Sequence, residues 1–188
     1  LQFSIAKTGG GVVALADNWT NSTGGSFIHR SGGLDLSGRA VNIVYYSSNI
    51  NATRSLDITN ATLNFTSIYD YRGTGKTIAS AGSHITTVGL GVDGLTYPLV
   101  DVFGSGNQLG IGGTTFGQLN LNNTSATAVS TVSTNNTARR IEFKGRGSVL
   151  SGNTIDTLIL AGSRNYSFSG TTAINKSMQA QSTACSGL

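Results

Sequence analysis

Apolar residues occur along the chain in short bursts in which every second position is apolar, as in Leu34-Asp35-Leu36. A period of two directs one face of a β-strand to a core and the other to water. Glycine, asparagine and serine separate the bursts, and no stretch shows the period of an amphipathic helix. The pattern therefore predicts an all-β fold with little or no helix. The bursts lie at 34–36, 41–45, 56–58, 63–65, 119–121, 141–143, 158–160 and 166–168.

The bursts recur at a loosely regular spacing. Leu34 and Leu56 are 22 positions apart, as are Leu119 and Ile141. This spacing predicts the turns of a parallel β-helix, or β-solenoid, with two or three short strands in each turn. An antiparallel β-sandwich, which has a strand about every 8–12 residues, is the alternative.

Two features favour the solenoid over the sandwich. Asp93-Gly94 is the only Asn-Gly or Asp-Gly dipeptide, the kind that closes a tight hairpin between two alternating runs. The outward strand positions carry Asn, Ser and Thr rather than Lys and Glu. Stacked turns place the residues of one column above each other, where like charges repel and where Asn or Thr side chains form hydrogen bonds.

Residues 66–118 interrupt the rhythm of the bursts. The segment contains Tyr69, Tyr71, Tyr97, the only proline (Pro98) and several glycines. We therefore expect a longer, irregular loop excursion from a single solenoid that spans 1–188. The last residues, 182–188, look like the entry to another turn. We accordingly expect the chain to be a fragment of a longer protein.

Composition and charge exclude several classes of protein. Gly, Thr, Ser and Asn together make up about 47% of the chain and charged residues only 11%, which does not fit a long-helix protein. A single cysteine, Cys185, cannot form a disulfide scaffold. The net charge of +4 comes from scattered residues without a Lys/Arg run, so we expect no nucleic-acid partner. No apolar run is long enough to predict membrane insertion.

The acidic residues do not predict a catalytic site, because the eight of them are spread along the chain. Asp35 and Asp57 occupy matching positions in two bursts, Leu-Asp-Leu and Leu-Asp-Ile, so they could stack in one column and bind a cation or a sugar. The alternative for this pair is a solvated outer face. A catalytic β-helix, a polysaccharide lyase or hydrolase, would need both on one exposed face with Arg39 or Arg54.

Histidines and tyrosines are the other candidates for chemistry. His29 and His84 are isolated, so we expect no metal site and no cofactor. Tyr69, Tyr71 and Tyr97 are candidates for a ligand-binding platform, because sugar rings stack on aromatic faces. The alternative for these tyrosines is a place in the core.

One segment resembles a known group of proteins. Residues 153–180, NTIDTLILAGSRNYSFSGTTAINKSMQA, and 183–188, TACSGL, resemble the β-helical segments of very large Bacteroidota surface proteins, including gliding-motility-associated adhesins exported by the type IX secretion system. The likeness is looser over 34–65 and 118–150. Asp156-Thr157-Leu158 also resembles the Bacteroidota O-glycosylation motif, which would make Thr157 the glycosylated residue.

The resemblance implies a parallel β-helix in a secreted protein at the bacterial cell surface. It implies a non-enzymatic structural or adhesive role in surface adhesion or gliding motility. The partners it implies are glycans or external surfaces, the rest of the same long polypeptide, and components of type IX secretion and the outer membrane. A carbohydrate-active β-helix and a glycan-binding module are the alternative functions.

Overall fold

The computed structural model of the chain describes residues 1–104, 111–161 and 164–181, which form β-strands and turns without any helix. These ranges accordingly contain no helix that could cross a membrane. The strands are β1 (Gln2–Ala6), β2 (Val12–Ala14), β3 (Trp19–Asp35), β4 (Ala40–Asn49), β5 (Arg54–Asp57), β6 (Thr62–Arg72), β7 (Lys76–Ala79), β8 (His84–Asp93), β9 (Thr96–Val102), β10 (Ile111–Gly112), β11 (Thr115–Leu121), β12 (Val129–Val132), β13 (Thr137–Phe143), β14 (Arg146–Val149), β15 (Thr154–Ala161), β16 (Tyr166–Phe168) and β17 (Ala173–Gln181).

Successive turns of the chain stack on each other through parallel strand pairs. The front sheet contains, in spatial order, β1, β3, β4, β6, β8, β9, β11, β13, β15 and β17. The N-terminal side sheet contains β2, the last residues of β3, β5 and β7, and the C-terminal side sheet contains β12, β14 and β16. The short strand β10 pairs with the end of β8.

The chain is thus a parallel β-solenoid of about eight turns. This confirms the predicted fold class. The antiparallel sandwich is wrong, because all strand pairs within the described ranges are parallel.

The period of two separates the core from the outer surface of the front sheet. Asn42 pairs with Asn64, and this outward column continues through Thr86, Asp101 and Asn120. The neighbouring column points inward and contains Val41, Leu63, Ile85, Val100, Leu119, Ile141 and Leu158, each at most 1% exposed. Burial of one large apolar side chain contributes about 1.5–3 kcal/mol, so this inward column is a major source of stability.

The turns differ in length, and this difference explains the break in rhythm at 66–118. Ile85 pairs with Leu63 on one side and with Val100 on the other, although Val100 is much nearer to it in sequence. The turn that leads from Ile85 to Val100 is short, because only residues 94–95 connect β8 to the adjacent strand β9. The expected irregular excursion is therefore wrong for 66–102 and 115–118, which lie in strands and short turns of the stack. Residues 105–110 and the expected further turn at 182–188 lie outside the described residues.

An asparagine ladder holds the corner that precedes β13 and β15. The Oδ1 of Asn153 accepts hydrogen bonds from the backbone N–H of Asn136 at 2.9 Å and from its Nδ2 at 3.1 Å. The Oδ1 of Asn136 in turn accepts from the backbone N–H of Thr114 at 3.1 Å. Both asparagines are buried, so the ladder satisfies backbone groups that water does not reach. These stacked asparagines lie at a buried corner before their strands, and not at the outward strand positions where stacked Asn was expected.

Candidate functional site

Tyr69, Tyr71 and Tyr97, the predicted sugar platform, lie inside the solenoid at 0% exposure. Tyr69 stacks on Tyr46 with ring centroids 5.3 Å apart and meets Tyr97 edge-on at 6.0 Å. Burial raises the pKa of all three hydroxyls, that of Tyr71 to about 12. The structure contradicts the platform, because a ring without exposed surface cannot stack on a sugar. It supports the alternative in which these tyrosines belong to the core.

Asp35 and Asp57 pair between β3 and β5, so the predicted column of two carboxylates is confirmed. The carboxylate of Asp35 accepts a hydrogen bond from the backbone N–H of Ser37 at 2.8 Å. The carboxylate of Asp57 accepts one in the same way from the backbone N–H of Thr59 at 2.9 Å. The hydrogen bonds from Ser37 lower the pKa of Asp35. Both carboxylates therefore stabilise the turn that follows their own strand.

A groove runs over the outer face of the N-terminal side sheet, next to these carboxylates. One part of the groove, of about 520 Å³, has Lys7 on its rim, and the other, of about 410 Å³, is lined by Asp35 and Asp57. Ser55 and Thr77 pair between adjacent strands and line both parts. The groove thus combines an ammonium group at one end, hydroxyls in the middle and carboxylates at the other end.

The loop between β1 and β2 forms one wall of this groove, because two glycines let it lie directly on the sheet. A Cβ at Gly32 would lie 2.7 Å from the Cβ of Lys7, and one at Gly33 would lie 2.6 Å from the Cγ2 of Val12. Gly32 also has a φ of 80°, which other residues rarely adopt. The backbone N–H of Gly33 donates to the carbonyl of Gly11 at 2.9 Å and fixes the loop.

Arg54 does not join Asp35 and Asp57 on the outer face, as a catalytic site would require. Its side chain points into the interior and is 2% exposed. The guanidinium carbon lies 5.1 Å from the centroid of the Tyr71 ring, a distance typical of a cation–π contact. Its five N–H groups donate to the hydroxyl of Ser48 and to the backbone carbonyls of Ser48, Ala52, Arg72 and Thr74.

His29 is also buried, near the Arg54 guanidinium. Its Nε2 lies 2.9 Å from the carbonyl oxygen of Gly32, and its Nδ1 lies 2.8 Å from the hydroxyl of Tyr46. A carbonyl only accepts, so Nε2 carries the proton and Nδ1 accepts from the tyrosine. Burial lowers the pKa of His29, and the charge of Arg54 lowers it further against the opposing effect of the Gly32 bond. The neutral ring is therefore a structural element.

The remaining contacts of the carboxylates lie within the fold. Asp101 on the front sheet accepts from Asn120 at 2.7 Å and from Asn122 at 3.2 Å, and it lies 2.6 Å from the Nε2 of His84. Burial opposes ionisation of Asp101, but these hydrogen bonds outweigh it and lower the pKa of the carboxyl group. Four further ion pairs join Arg72 to Asp70, Lys76 to Asp93, Arg140 to Glu142, and Lys176 to Asp156.

Thr157 lies on β15 and is paired with Arg140 on one side and Ser177 on the other. The residue is partly exposed, and its Oγ1 lies 3.4 Å from the hydroxyl of Ser177. Its glycosylation remains a prediction.

Within the described ranges, no group of three or more His, Cys, Asp or Glu side chains could hold a metal ion. Cys185 lies outside those ranges. A search among known protein families, curated proteins and solved structures finds no match to this chain.

Sequence reasoning missed Lys7, Ser55 and Thr77 as groove residues. A signal was present, because Ser55-Leu56-Asp57 and Thr77-Ile78-Ala79 are separated by the same interval as the two aspartates. The same spacing that predicted the aspartate column thus also predicts a hydroxyl column next to it.

Proposed function

We propose that the chain is a non-enzymatic structural and adhesive module of a large secreted protein at a bacterial cell surface, acting in adhesion or gliding motility. The observation that carries this proposal is the use of the carboxylates. Seven of the eight acidic residues close turns, form ion pairs or accept hydrogen bonds within the fold. This distribution favours a scaffold, since catalysis needs carboxylates that are free to act on a substrate.

The solenoid suits such a role mechanically. About eight turns at roughly 4.8 Å each give a stack about 38 Å long. Neighbouring turns are joined by continuous parallel ladders, and the asparagine ladder adds side-chain hydrogen bonds between them. The module would act as a stiff segment within the longer polypeptide, its implied partner. Type IX secretion and outer-membrane components are the other partners proposed from the resemblance.

Glycan binding is the second candidate function, and the groove favours it. Hydroxyls of Ser55 and Thr77, the ammonium group of Lys7 and the two carboxylates offer both donors and acceptors along one open surface. Saccharides present hydroxyl groups of matching character. The groove is therefore the part of the described surface best suited to contact a glycan or an external surface.

The catalytic alternative, a lyase or hydrolase, makes a different prediction about the same groove. It requires a basic residue beside Asp35 and Asp57. Besides the hydrogen bonds from Ser37, the charge of Arg39 also lowers the pKa of Asp35, and the Nε of Arg39 donates to the carbonyl of Leu15 at 3.1 Å. Arg54, by contrast, is interior. The interior place of Arg54 supports the non-enzymatic proposal, whereas Arg39 is the basic residue that the catalytic alternative would use.

One experiment separates these functions. Beads coated with the purified module are tested for attachment to bare and glycan-coated surfaces under flow, and the same protein is incubated with a panel of polysaccharides. We expect attachment above that of beads coated with an unrelated protein of similar size, and no release of reducing ends or unsaturated products. Product release that disappears in the Asp57→Asn variant would overturn the proposal, as would the absence of attachment to every surface.

A further inference from the structure

A small polar pocket near the start of the C-terminal side sheet contains two arginines. The pocket has a volume of about 210 Å³ and is lined by Ala126, Arg146, Arg164 and Asn165. Arg146 begins β14, and Arg164 lies just before β16, the neighbouring strand in the stack. The stacking of turns therefore brings two guanidinium groups to one pocket.

Neither arginine forms an ion pair with any residue in the described part of the chain. Glu142, the acid closest to Arg146 in sequence, is already bound to Arg140 at 2.6 Å. The Nη1 of Arg146 donates to the carbonyl of Thr127 at 3.1 Å. Its Nε, however, is buried and has no hydrogen-bond partner among the described residues. Two positive charges without an acidic partner thus line the pocket.

Such an arrangement costs free energy in the free protein. Two like charges that line one small pocket repel each other. An oxyanion in the pocket would remove this cost, because its oxygens accept charge-assisted hydrogen bonds from planar guanidinium groups. The pocket volume is several times the roughly 30 Å³ of one liquid water, so it admits a group of this size.

We propose that this pocket is an oxyanion-binding site that takes the sulfate or carboxylate group of an acidic polysaccharide. The oxyanion chemistry follows from the two arginines alone. The polysaccharide as its source rests on the proposed function at a cell surface, where the module would meet extended glycans. Charge recognition at this pocket would act together with the neutral hydroxyl contacts of the distant groove.

The first test measures thermal unfolding of the wild type and of the Arg146→Gln and Arg164→Gln variants in sodium sulfate and in sodium chloride of equal ionic strength. Arg30→Gln is the matched control, because Arg30 is exposed and has no ion pair within the described ranges. Sulfate also stabilises proteins generally by exclusion from their surface. That general effect is common to all four proteins, so only differences between them report on the pocket.

We expect sulfate to raise the Tm of the wild type and of Arg30→Gln more than that of either pocket variant. Loss of one guanidinium should weaken sulfate binding at least about tenfold. In chloride, the Arg164→Gln variant should be as stable as the wild type or more stable, because it removes the repulsion. A lower Tm in chloride, or an equal response to sulfate in all four proteins, would overturn the site.

The second test identifies the source of the oxyanion. Binding of dextran sulfate, polygalacturonate and uncharged dextran is compared between Arg164→Gln and Arg30→Gln, which carry the same net charge. We expect at least one acidic polymer to bind Arg30→Gln more tightly than Arg164→Gln, and dextran to show no difference. If both variants bind every polymer equally while the difference in Tm response to sulfate persists, an acidic polysaccharide is excluded as the ligand. The pocket would then be a site for a small free anion. A failure of surface attachment would instead count against the proposed function and would not affect the sulfate result.

Discussion

Replacement of the buried Arg54 tests how polar groups hold the turns together. Methionine has a similar length but donates no hydrogen bond, so Arg54→Met removes all five donors from the interior. Two of the five bonds reach the carbonyls of Arg72 and Thr74 in the following turn. A hydrogen bond from a charged group contributes about 1.5–3 kcal/mol, so these two alone predict a loss of about 3–6 kcal/mol. Lysine keeps the charge with fewer donors and should give an intermediate loss.

The assay is unfolding in guanidinium chloride, followed both by the fluorescence of the single tryptophan, Trp19, and by far-ultraviolet circular dichroism. Trp19 lies in β3, one turn before β4 and β5. Two probes are used because turns of a repeat protein can unfold separately. Arg30→Met at an exposed position is the control and should change stability by less than about 0.5 kcal/mol. Wild-type stability in Arg54→Met would refute the role given to these bonds.

Three further predictions concern single buried groups. Burial lowers the pKa of His29 in the folded state, so the unfolded chain binds a proton first and the free energy of unfolding should fall as the pH drops below about 6.5. In His29→Gln, the stability measured by denaturant unfolding should depend less on pH between about pH 7 and 5. The buried hydroxyls of Tyr97 and Tyr69 interact with each other and have no further hydrogen-bond partner in the described ranges, so Tyr97→Phe should lower the free energy of unfolding in denaturant by at most about 1 kcal/mol. Gly145→Ala should cost at least about 2 kcal/mol in denaturant unfolding, because its Cβ would overlap the carbonyl oxygen of Asn123, whereas Gly112→Ala, with its nearest atom at 3.8 Å, serves as the control.

The repeat of the hydrophobic pattern was sufficient to predict the fold class and one feature of the surface. Residues in matching positions of consecutive turns are paired, as Asp35 with Asp57 and Leu119 with Ile141. This succeeds because strand pairing in a solenoid is in register, so a constant spacing in sequence becomes a constant position in space.

The pattern failed where turn length changed. The step from Ile85 to its partner Val100 is shorter in sequence than the step from Leu63 to Ile85, so the apolar positions of β8 and β9 fell out of phase with a fixed repeat. Tyr69 and Tyr97 then appeared to lie in a loop, although their rings pack in the interior. Connection length is set by local turn geometry and leaves no periodic trace in the sequence.

The candidate sites show a similar limit. The hydroxyl column of Ser55 and Thr77 follows from the same spacing as the aspartates and was predictable. The wall formed by the β1–β2 loop was not, because it depends on the absence of side chains at Gly32 and Gly33. The interior position of Arg54 was also unexpected, since a charged residue is rarely buried without an acidic partner. Its burial depends on carbonyl groups that only the folded turns bring together.

The order and spacing of the turns define the stacked solenoid and can be measured in solution. Asn42, Asn120 and Gln179 lie in one outward column of the front sheet. Asn120 is four strands away from Asn42, and Gln179 is seven strands away from it. Spin labels at 42 and 120, and at 42 and 179, are introduced in a Cys185→Ser background for pulsed electron paramagnetic resonance. At roughly 4.8 Å per step, the two distances should be about 19 and 34 Å. Distances that do not increase by about 14 Å between the two pairs would contradict the stacked solenoid.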